Sequence, residues 1–374
     1  VVLTALLIPA GIGYAQVSGL PPVTGLYATI VPLAVYALAG PSRILVLGPD
    51  SSLAPIIGAS VLPLAAGDPD RAVALAGLLA ILMGGFLLIG SVFRLGFVTD
   101  LLSKPIRIGY LNGVALVVIV GQLPALFGFS VSADTLFGDA RGFVEGLGDG
   151  LADPRAAAIG VGSVSLILGL RLARSKIPGV LVAVVGAMLL VGVFGWRDEL
   201  PVVGSLPSGL PAPALGGLSW GDVGSLLGPA FGIALIAFAD TGVLSRVFAA
   251  RHGEHVDGSD EMRGLGLANA ATGALGGFPV SASTSRTPVA EQAGAHTQLA
   301  GATGALLLIG FVVLTPDLTS FLPTSALAGV VIVAAGTLID VPEVARLLRV
   351  EPIDGLLSIA AFLGVILIGV LEGI

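Results

Sequence analysis

Apolar segments follow one another along the whole chain, separated by short polar loops. A helix needs roughly 17–25 mostly apolar residues to cross the hydrocarbon core of a bilayer. The pattern therefore predicts a succession of membrane-spanning helices. The predicted spans are Val1–Val17, Leu26–Leu38, Arg71–Val92, Ile106–Phe127, Ala156–Leu172, Ile177–Phe194, Val223–Phe248, Gly264–Leu275, Leu299–Leu314, Ser325–Leu338 and Leu356–Val370.

Two further apolar segments, Asp50–Leu64 and Ser283–Ala293, are short and interrupted. Each is the third segment of its half of the chain. Each follows glycine, proline and a short β-branched stretch, and then Ser, Thr or Asp residues that suit the start of a new helix. Paired interrupted segments in two halves indicate a binding site near the membrane midplane of an inverted-repeat transporter.

The charged loops test this map, because cytoplasmic loops carry an excess of Lys and Arg. Basic loops alternate with acidic ones only if each interrupted segment starts near the midplane and leaves on one side. The basic positions are Arg94, Lys104 and Arg107, then Arg171, Arg174 and Lys176, then Arg346 and Arg349. On this map both termini face the cytoplasm, and since both ends fall in apolar sequence we expect them to be trimmed.

Composition agrees with a membrane protein. Hydrophobic residues make up 55% of the chain and charged residues 11%, against roughly 25% charged residues in soluble domains. The alternation expected of a membrane β-barrel is absent. With no cysteine and a net charge of −7, disulfides and thiolate chemistry are excluded and no nucleic-acid partner is expected. No catalytic set, metal site or cofactor site lies within the spans, so we do not expect an enzyme.

Arg286 lies in the first turn of the second interrupted segment. A helix that starts in mid-membrane leaves several backbone N–H groups without partners inside the helix, and its dipole favours negative charge there. Two such N-termini with Arg286 favour an anion. The alternative is that Arg286 pairs with a carboxylate or with carbonyl groups of the broken backbone.

Three other polar side chains are candidates, and each has two interpretations. Asp240 lies well inside an apolar helix, where a carboxylate is expected to be protonated or paired. It is either the carrier of a coupling proton or a structural partner of Arg286. Asp50 either caps the first half-helix or places a fixed negative charge at the anion site, and the cap is the favoured interpretation. Tyr14 either lines the pocket with its hydroxyl or packs as an aromatic ring.

Several motifs, in order along the whole chain, resemble the sulfate permease (SulP) family of anion transporters. In the first half they are Pro9–Ala15, Gly19–Tyr27, Gly40–Arg43 and Gly48–Pro49, and in the second half Glu261, Gly266–Asn269, Ser285–Thr287 and Ala293–Gly301. Ala10 stands where several members have glutamine, Asp50 where some have an apolar or aromatic residue, and Asp240 where the usual residue is glutamate.

The resemblance implies an all-α polytopic membrane protein, with about fourteen transmembrane segments in two inverted seven-segment repeats and an architecture like that of uracil permease. Each repeat divides into a core part and a gate part. We expect core segments at 1–93 and 222–315 and gate segments at 94–221 and 316–374. The resemblance also implies a homodimer, formed through membrane segments and a cytoplasmic C-terminal STAS domain that lies outside this chain.

By motif position, the family's substrate site falls on Tyr14, Asp50, Thr284, Ser285 and Arg286, to which we add Ser51, and its acidic coupling residue falls on Asp240. We predict a secondary transporter in the inner (plasma) membrane. It would carry a small anion such as sulfate, bicarbonate or a C4-dicarboxylate like fumarate, by proton symport and elevator-type alternating access. It needs no cofactor, and Na⁺ is the alternative to H⁺ as the coupling ion. The alternatives are an uncoupled anion channel or exchanger and a nucleobase permease of the related fold.

Overall fold

The computed structural model describes residues 2–96, 104–131, 135–175, 177–207, 209–283, 286–292 and 294–369. The chain is mostly helical, with two very short strands. The elements are α1 (Val2–Val17), α2 (Pro22–Ala39), β1 (Leu47–Gly48), α3 (Ala54–Ala65), α4 (Pro69–Val92), α5 (Lys104–Leu126), α6 (Leu136–Gly148), α7 (Pro154–Leu172), α8 (Gly179–Phe194), α9 (Trp220–Arg251), α10 (Gly258–Ala274), β2 (Ser281–Ala282), α11 (Arg286–Gln292), α12 (Leu299–Leu314), α13 (Thr324–Gly336), α14 (Val341–Val350) and α15 (Pro352–Leu367).

Six helical stretches of the described chain are long and apolar enough to cross a membrane. They are Pro22–Ala39, Pro69–Val92, Lys104–Leu126, Pro154–Leu172, Trp220–Arg251 and Thr324–Val350, the last of which covers α13 and α14. Shorter apolar helices at Leu6–Val17, Ala54–Ala65, Gly179–Phe194, Leu299–Leu314 and Pro352–Leu367 accompany them. The apolar spans predicted from the sequence are therefore helices.

Local capping sets where several helices begin. Asp68 accepts hydrogen bonds from the backbone N–H groups of Asp70 and Arg71 at the start of α4. Ser219 and Asp222 form a reciprocal capping box at the start of α9. Such side chains satisfy the N–H groups that have no partner within the first turn of a helix.

The structure corrects three details of the predicted map. The span predicted from Gly264 begins at Gly258 instead, where Asp257 caps it through the N–H of Ser259. Two helices, α6 and α14, occupy stretches predicted as loops. Both have charged residues interleaved with apolar ones at helical spacing, so an average over the segment hides an amphipathic helix.

The chain divides into two compact units. Unit 1 comprises 1–103 and 209–313, and unit 2 comprises 104–208 and 314–374. In unit 2, α5 packs closely on α15, since a Cβ atom on Gly109 would lie 1.8 Å from the carbonyl oxygen of Ser358. A cluster of Ala156, Ile159, Ala187, Val191, Leu200 and Ala326 forms an apolar core in this unit.

Unit 1 contains both interrupted segments, and in it α4 packs closely against α10. A Cβ atom on Gly273 would lie 2.2 Å from the carbonyl oxygen of Gly77, and one on Gly84 would lie 2.7 Å from that of Gly266. The contacts pair residues in opposite order along the two helices, so α4 and α10 run antiparallel. Small residues at such positions let helices approach closely in lipid, where packing replaces the hydrophobic effect.

This contact predicts a difference between two glycines of unit 1. Gly273→Ala places a methyl group against the backbone of α4, which cannot move aside as a side chain can, and we expect a cost of about 1–3 kcal/mol. Gly85→Ala on α4 meets nothing within 4 Å and is the matched control. Thermal unfolding of the purified protein in detergent should show a lower midpoint for Gly273→Ala only. Equal midpoints for the two variants would contradict the close contact.

Candidate functional site

The two interrupted segments meet as a pair of short antiparallel strands inside unit 1. Leu47 of β1 pairs with Ala282 of β2, and Gly48 pairs with Ser281. Just beyond the strands, the N–H of Ser283 donates to the carbonyl oxygen of Val46 at 3.0 Å. All four paired residues are buried. The interruptions predicted from the sequence are therefore short extended stretches that satisfy each other's backbone.

Side chains from neighbouring helices complete the hydrogen bonding of these strands. Asn269 on α10 accepts from the N–H of Val280 at 2.8 Å and donates to its carbonyl oxygen at 3.0 Å. Thr241 on α9 accepts from the N–H of Ala282 at 3.1 Å. Thr287 on α11 accepts from the N–H of Val46, also at 3.1 Å. Unpaired backbone groups are very costly in a lipid environment, so these side chains hold the broken segments in place.

Asp50 closes the turn between β1 and α3. Its carboxylate accepts from the backbone N–H of Ser52 at 3.0 Å and from the hydroxyl of Ser52 at 2.9 Å. Its carbonyl oxygen accepts from the N–H groups of Leu53 and Ala54. The favoured interpretation of Asp50 as a cap is right in kind, but it caps a turn at 51–53, and α3 itself begins at Ala54.

The start of α11 is occupied in a similar way. The N–H of Arg286 donates to the hydroxyl of Ser283 at 3.2 Å, and the N–H of Thr287 donates to the carbonyl oxygen of the same residue. The predicted site residues Thr284 and Ser285 lie outside the described residues. Asp50 and Ser283 thus take up five of the described N–H groups at the two helix starts, those of Ser52, Leu53, Ala54, Arg286 and Thr287.

Among the described residues of this site, buried side-chain donors without a partner belong to Arg286 and to the hydroxyl of Ser281 on β2, and only those of Arg286 are positively charged. Arg286 is 5% exposed, and its Nη2 donates to the carbonyl oxygen of Pro49. The guanidinium lies against β1, since a Cβ atom on Gly48 would be 3.6 Å from both Nη1 and Nη2. Its Nε and Nη1 are buried and have no hydrogen-bond partner among the described residues. Asp50 and Tyr14 lie within electrostatic reach of it.

Tyr14 and Ser51 are the next side chains around the guanidinium. Tyr14 on α1 is 7% exposed, and Ser51 is 6% exposed. The Tyr14 hydroxyl interacts with the Ser51 side chain and lies in the field of both Asp50 and Arg286. The structure thus brings together four of the predicted site residues, Tyr14, Asp50, Ser51 and Arg286.

Asp240 lies on α9, one residue before Thr241, which holds β2. It is partly buried, while Ala239 and Thr241 on either side are buried. It is not among the partners of Arg286, whose guanidinium contacts Pro49 and interacts with Tyr14 and Asp50. Both interpretations of Asp240, as the carrier of a coupling proton and as a structural partner of Arg286, stay predictions.

The sequence does not show that Asn269, Thr241 and Thr287 hold the strands, because an amide or hydroxyl in an apolar helix is equally typical of ordinary interhelical hydrogen bonding. Asn269 and Thr287 do have a signal, because they belong to the motifs Gly266–Asn269 and Ser285–Thr287 on either side of the second interruption.

Comparison with known proteins agrees with this architecture. A model of the "Sulfate permease family" matches residues 1–361. A probable sulfate transporter of Mycobacterium tuberculosis is 38% identical over 371 residues, covering 99% of this chain and 66% of the relative. Human solute carrier family 26 member 6 is 32% identical, over 96% of this chain and 50% of that protein.

Solved structures show the same fold. The structure of SLC26A9 has a TM-score of 0.89 at 21% identity, covering 99% of this chain and 62% of that one. The transmembrane domain of a cyanobacterium bicarbonate transporter, BicA, has a TM-score of 0.86 at 23% identity, covering 100% of this chain and 95% of that one. The predicted fold class, a polytopic helical protein of two inverted seven-segment repeats, is confirmed.

The chain spans about two thirds of the length of the M. tuberculosis relative, 66%. Over that length the relatives are membrane transporters and not enzymes, as the sequence predicts. With the family model matched over residues 1–361 and a relative at 38% identity, the chain belongs to the sulfate permease family of anion transporters.

Proposed function

We propose that this chain is the membrane part of a secondary active transporter that binds a small anion at Arg286 and moves it together with a proton. The observation that carries the proposal is the buried guanidinium, whose Nε and Nη1 have no partner in the part of the chain that the structure describes. Tyr14 and Ser51 line the same site. Thr284 and Ser285, next to Arg286 in sequence, are assigned to it by the family motif.

A buried guanidinium with free N–H groups is expensive. An arginine at the centre of a membrane helix costs roughly 2.5–3.5 kcal/mol on insertion scales, and hydrogen bonds to charged groups contribute about 1.5–3 kcal/mol each. Asp50 attracts the guanidinium electrostatically, while the hydrogen bonds printed for its carboxylate come from Ser52 and leave Nε and Nη1 of Arg286 without an acceptor among the described residues. A bound anion would satisfy both the charge and the free donors of Arg286.

Sulfate is the first candidate substrate, because the bacterial relatives at 38% identity are named as probable sulfate transporters. Bicarbonate is the second, by likeness to the transmembrane domain of BicA. A C4-dicarboxylate such as fumarate stays a third candidate. A guanidinium accepts oxyanions of all three kinds. Uptake of labelled anions into proteoliposomes would rank them.

Asp240 is proposed to carry the coupling proton, with Na⁺ as the alternative ion. A carboxylate inside a membrane helix is a functional site by default. Its neighbour Thr241 holds the backbone of β2, and β2 leads directly to α11 and Arg286. Asp240 is therefore adjacent in sequence to the residue that binds β2. A change of charge at Asp240 can act on the anion site through Thr241 and this strand.

The motion proposed is an elevator-type movement of the core segments against the gate segments. We place the protein in the inner membrane, with both termini in the cytoplasm. We expect it to form a homodimer through membrane segments and a STAS domain.

An uncoupled channel or exchanger is the competing function. It differs in one measurable respect, since it cannot concentrate an anion when a pH gradient is imposed. A nucleobase permease is disfavoured by the family match.

Removing the guanidinium of Arg286 should weaken anion binding. Arg286→Ala removes the free donors and should weaken sulfate binding at least about tenfold, since a charged hydrogen bond is worth about 1.5–3 kcal/mol and about 1.4 kcal/mol is a factor of ten. Arg286→Lys keeps the charge but loses the planar fork and should be intermediate. Arg141→Ala on α6, an exposed arginine paired with Glu145, is the control. Binding measured calorimetrically in detergent tests this, and unchanged affinity in Arg286→Ala would refute the site.

Removing the titratable carboxyl group of Asp240 should uncouple anion transport from the proton gradient. Asp240→Asn cannot exchange a proton, so it should abolish anion accumulation driven by an inward proton gradient and leave anion–anion exchange in place. Asp70→Asn, which changes an exposed carboxylate at the start of α4, should accumulate the anion normally. Both are measured in proteoliposomes with and without a pH difference. Full gradient-driven accumulation by Asp240→Asn would rule out its coupling role.

A further inference from the structure

A buried carboxyl group lies in unit 1 apart from the anion site. Glu261 on α10 has no exposed surface. Its Oε1 accepts from the hydroxyl of Tyr36 on α2. Its Oε2 lies 2.8 Å from the hydroxyl oxygen of Ser42 and 2.7 Å from that of Ser245 on α9. The two serine oxygens are themselves 2.8 Å apart. Ser42, Ser245 and Glu261 thus form a closed ring of three oxygen–oxygen contacts, called here the Glu261 ring.

Counting hydrogens in the Glu261 ring decides the charge of the carboxyl group. Three contacts at these distances need three hydrogens, one for each. The two serine hydroxyls supply two, because a hydroxyl has a single O–H donor, and an ionised carboxylate supplies none. Only a protonated Oε2 provides the third hydrogen and closes the ring. The Tyr36 hydroxyl then donates to the remaining carbonyl oxygen, Oε1.

The charged groups around Glu261 do not offer it a cation. Among the described residues, no lysine, arginine or histidine forms an ion pair with it; its partners are the three hydroxyl groups, and Asp260 adds a negative charge nearby.

The cations closest to the Glu261 ring are exposed or paired with other acids. Arg43, beside Ser42, is 67% exposed and paired with Glu254. On α9, Arg251 and His252 pair with Glu291. Other charged or titratable residues near this end of the packed elements are exposed: Arg94 after α4, Arg246 on α9, His255 and Asp257 before α10, and Arg263 on α10.

A cavity gives the Glu261 ring a route to solvent. It has a volume of about 170 Å³, and both serines of the ring line it, together with Arg43, His252, Glu254 and His296. This volume exceeds the roughly 10–15 Å³ of such space that one water needs, and the polar side chains of the lining offer water hydrogen-bond partners beside the apolar Ile44, Leu45, Phe248, Ala249 and Val256. The ring therefore connects a buried acid through two hydroxyl groups, which can relay a proton, to a cavity large enough for water.

We propose that Glu261 is a proton-binding site, held as a neutral acid and exchanging its proton with the cavity through Ser42 and Ser245. The proton has a positioning role. Ser42 lies five residues before β1, and Gln298 binds the carbonyl oxygens of Ser42 and Leu45 at 2.8 and 2.9 Å. The Glu261 ring thus ties the stretch that leads into β1 to α9 and α10. Loss of the proton leaves one contact without a hydrogen and loosens that stretch.

This inference depends on neither the identity of the anion nor the role of Asp240. Its test uses Glu261→Gln, because an amide mimics the neutral acid. The Gln oxygen accepts from Tyr36, and its two N–H groups donate to both serines, so every contact is satisfied. In wild type, stability should fall as pH rises. The folded chain keeps a proton that an unfolded glutamate loses above about pH 4.3, so the unfolded state binds fewer protons.

The experiment combines infrared spectroscopy with thermal unfolding of the full chain in detergent at several pH values. At neutral pH, the wild type minus Glu261→Gln difference spectrum should contain the C=O band of a protonated carboxylic acid. The same difference for Glu145→Gln, which removes a 57% exposed carboxylate, should contain carboxylate bands instead. The unfolding midpoint of wild type should fall with pH relative to that of Glu261→Gln.

Three results would overturn the proposal. The first is a carboxylate signature for Glu261 at neutral pH. The second is a Glu261→Gln protein that does not fold, since the amide satisfies the same contacts. The third is an equal pH dependence in wild type and Glu261→Gln. Ser245→Ala is a further check that leaves Glu261 in place: without this serine the ring is open, and the protonated-acid band should shift or be lost.

Discussion

The structure of unit 1 depends on how two broken helices satisfy their backbone hydrogen bonds within the membrane. Lipid offers no partners, so each interrupted stretch needs another part of the protein. β1 and β2 pair with each other, and Asn269, Thr241 and Thr287 take up groups at their edges. Four helices, α3, α9, α10 and α11, are thereby connected to one small region of extended backbone.

The position of Arg286 follows from this pairing. β2 leads into α11, whose first residue is Arg286, and the antiparallel register sets that residue beside Gly48 and Pro49 of the other repeat. Because the backbone groups nearby are already bonded, the guanidinium contributes the free positive donors. Glu261 acts at the other end of the same stretch of chain, where its ring fixes the approach to β1. The anion site proposed at Arg286 and the proton site proposed at Glu261 are thus separate.

Much of this could be predicted from the sequence. Glycine, proline and small polar residues marked both interruptions, and apolar length marked the helices. Backbone bonding could not be predicted, because the partners of Val46, Val280 and Ala282 depend on tertiary contacts, some of them more than two hundred residues apart. For the same reason the sequence could not show that Asp50 and Ser283 take up N–H groups at the starts of the two half-helices. The amphipathic α6 and α14 were missed since their charged faces lower the average hydrophobicity. The division into core and gate segments stays a prediction.

The central claim is that the free donors of Arg286 bind the transported anion. Selenate replaces sulfate and scatters X-rays anomalously, so a crystal of the chain grown with selenate would locate the anion directly. We expect an anomalous peak within hydrogen-bonding distance of Nε or Nη1 of Arg286, close to Tyr14 and Ser51. A structure in which both nitrogens are bonded to protein oxygens, with the selenate elsewhere, would contradict the claim.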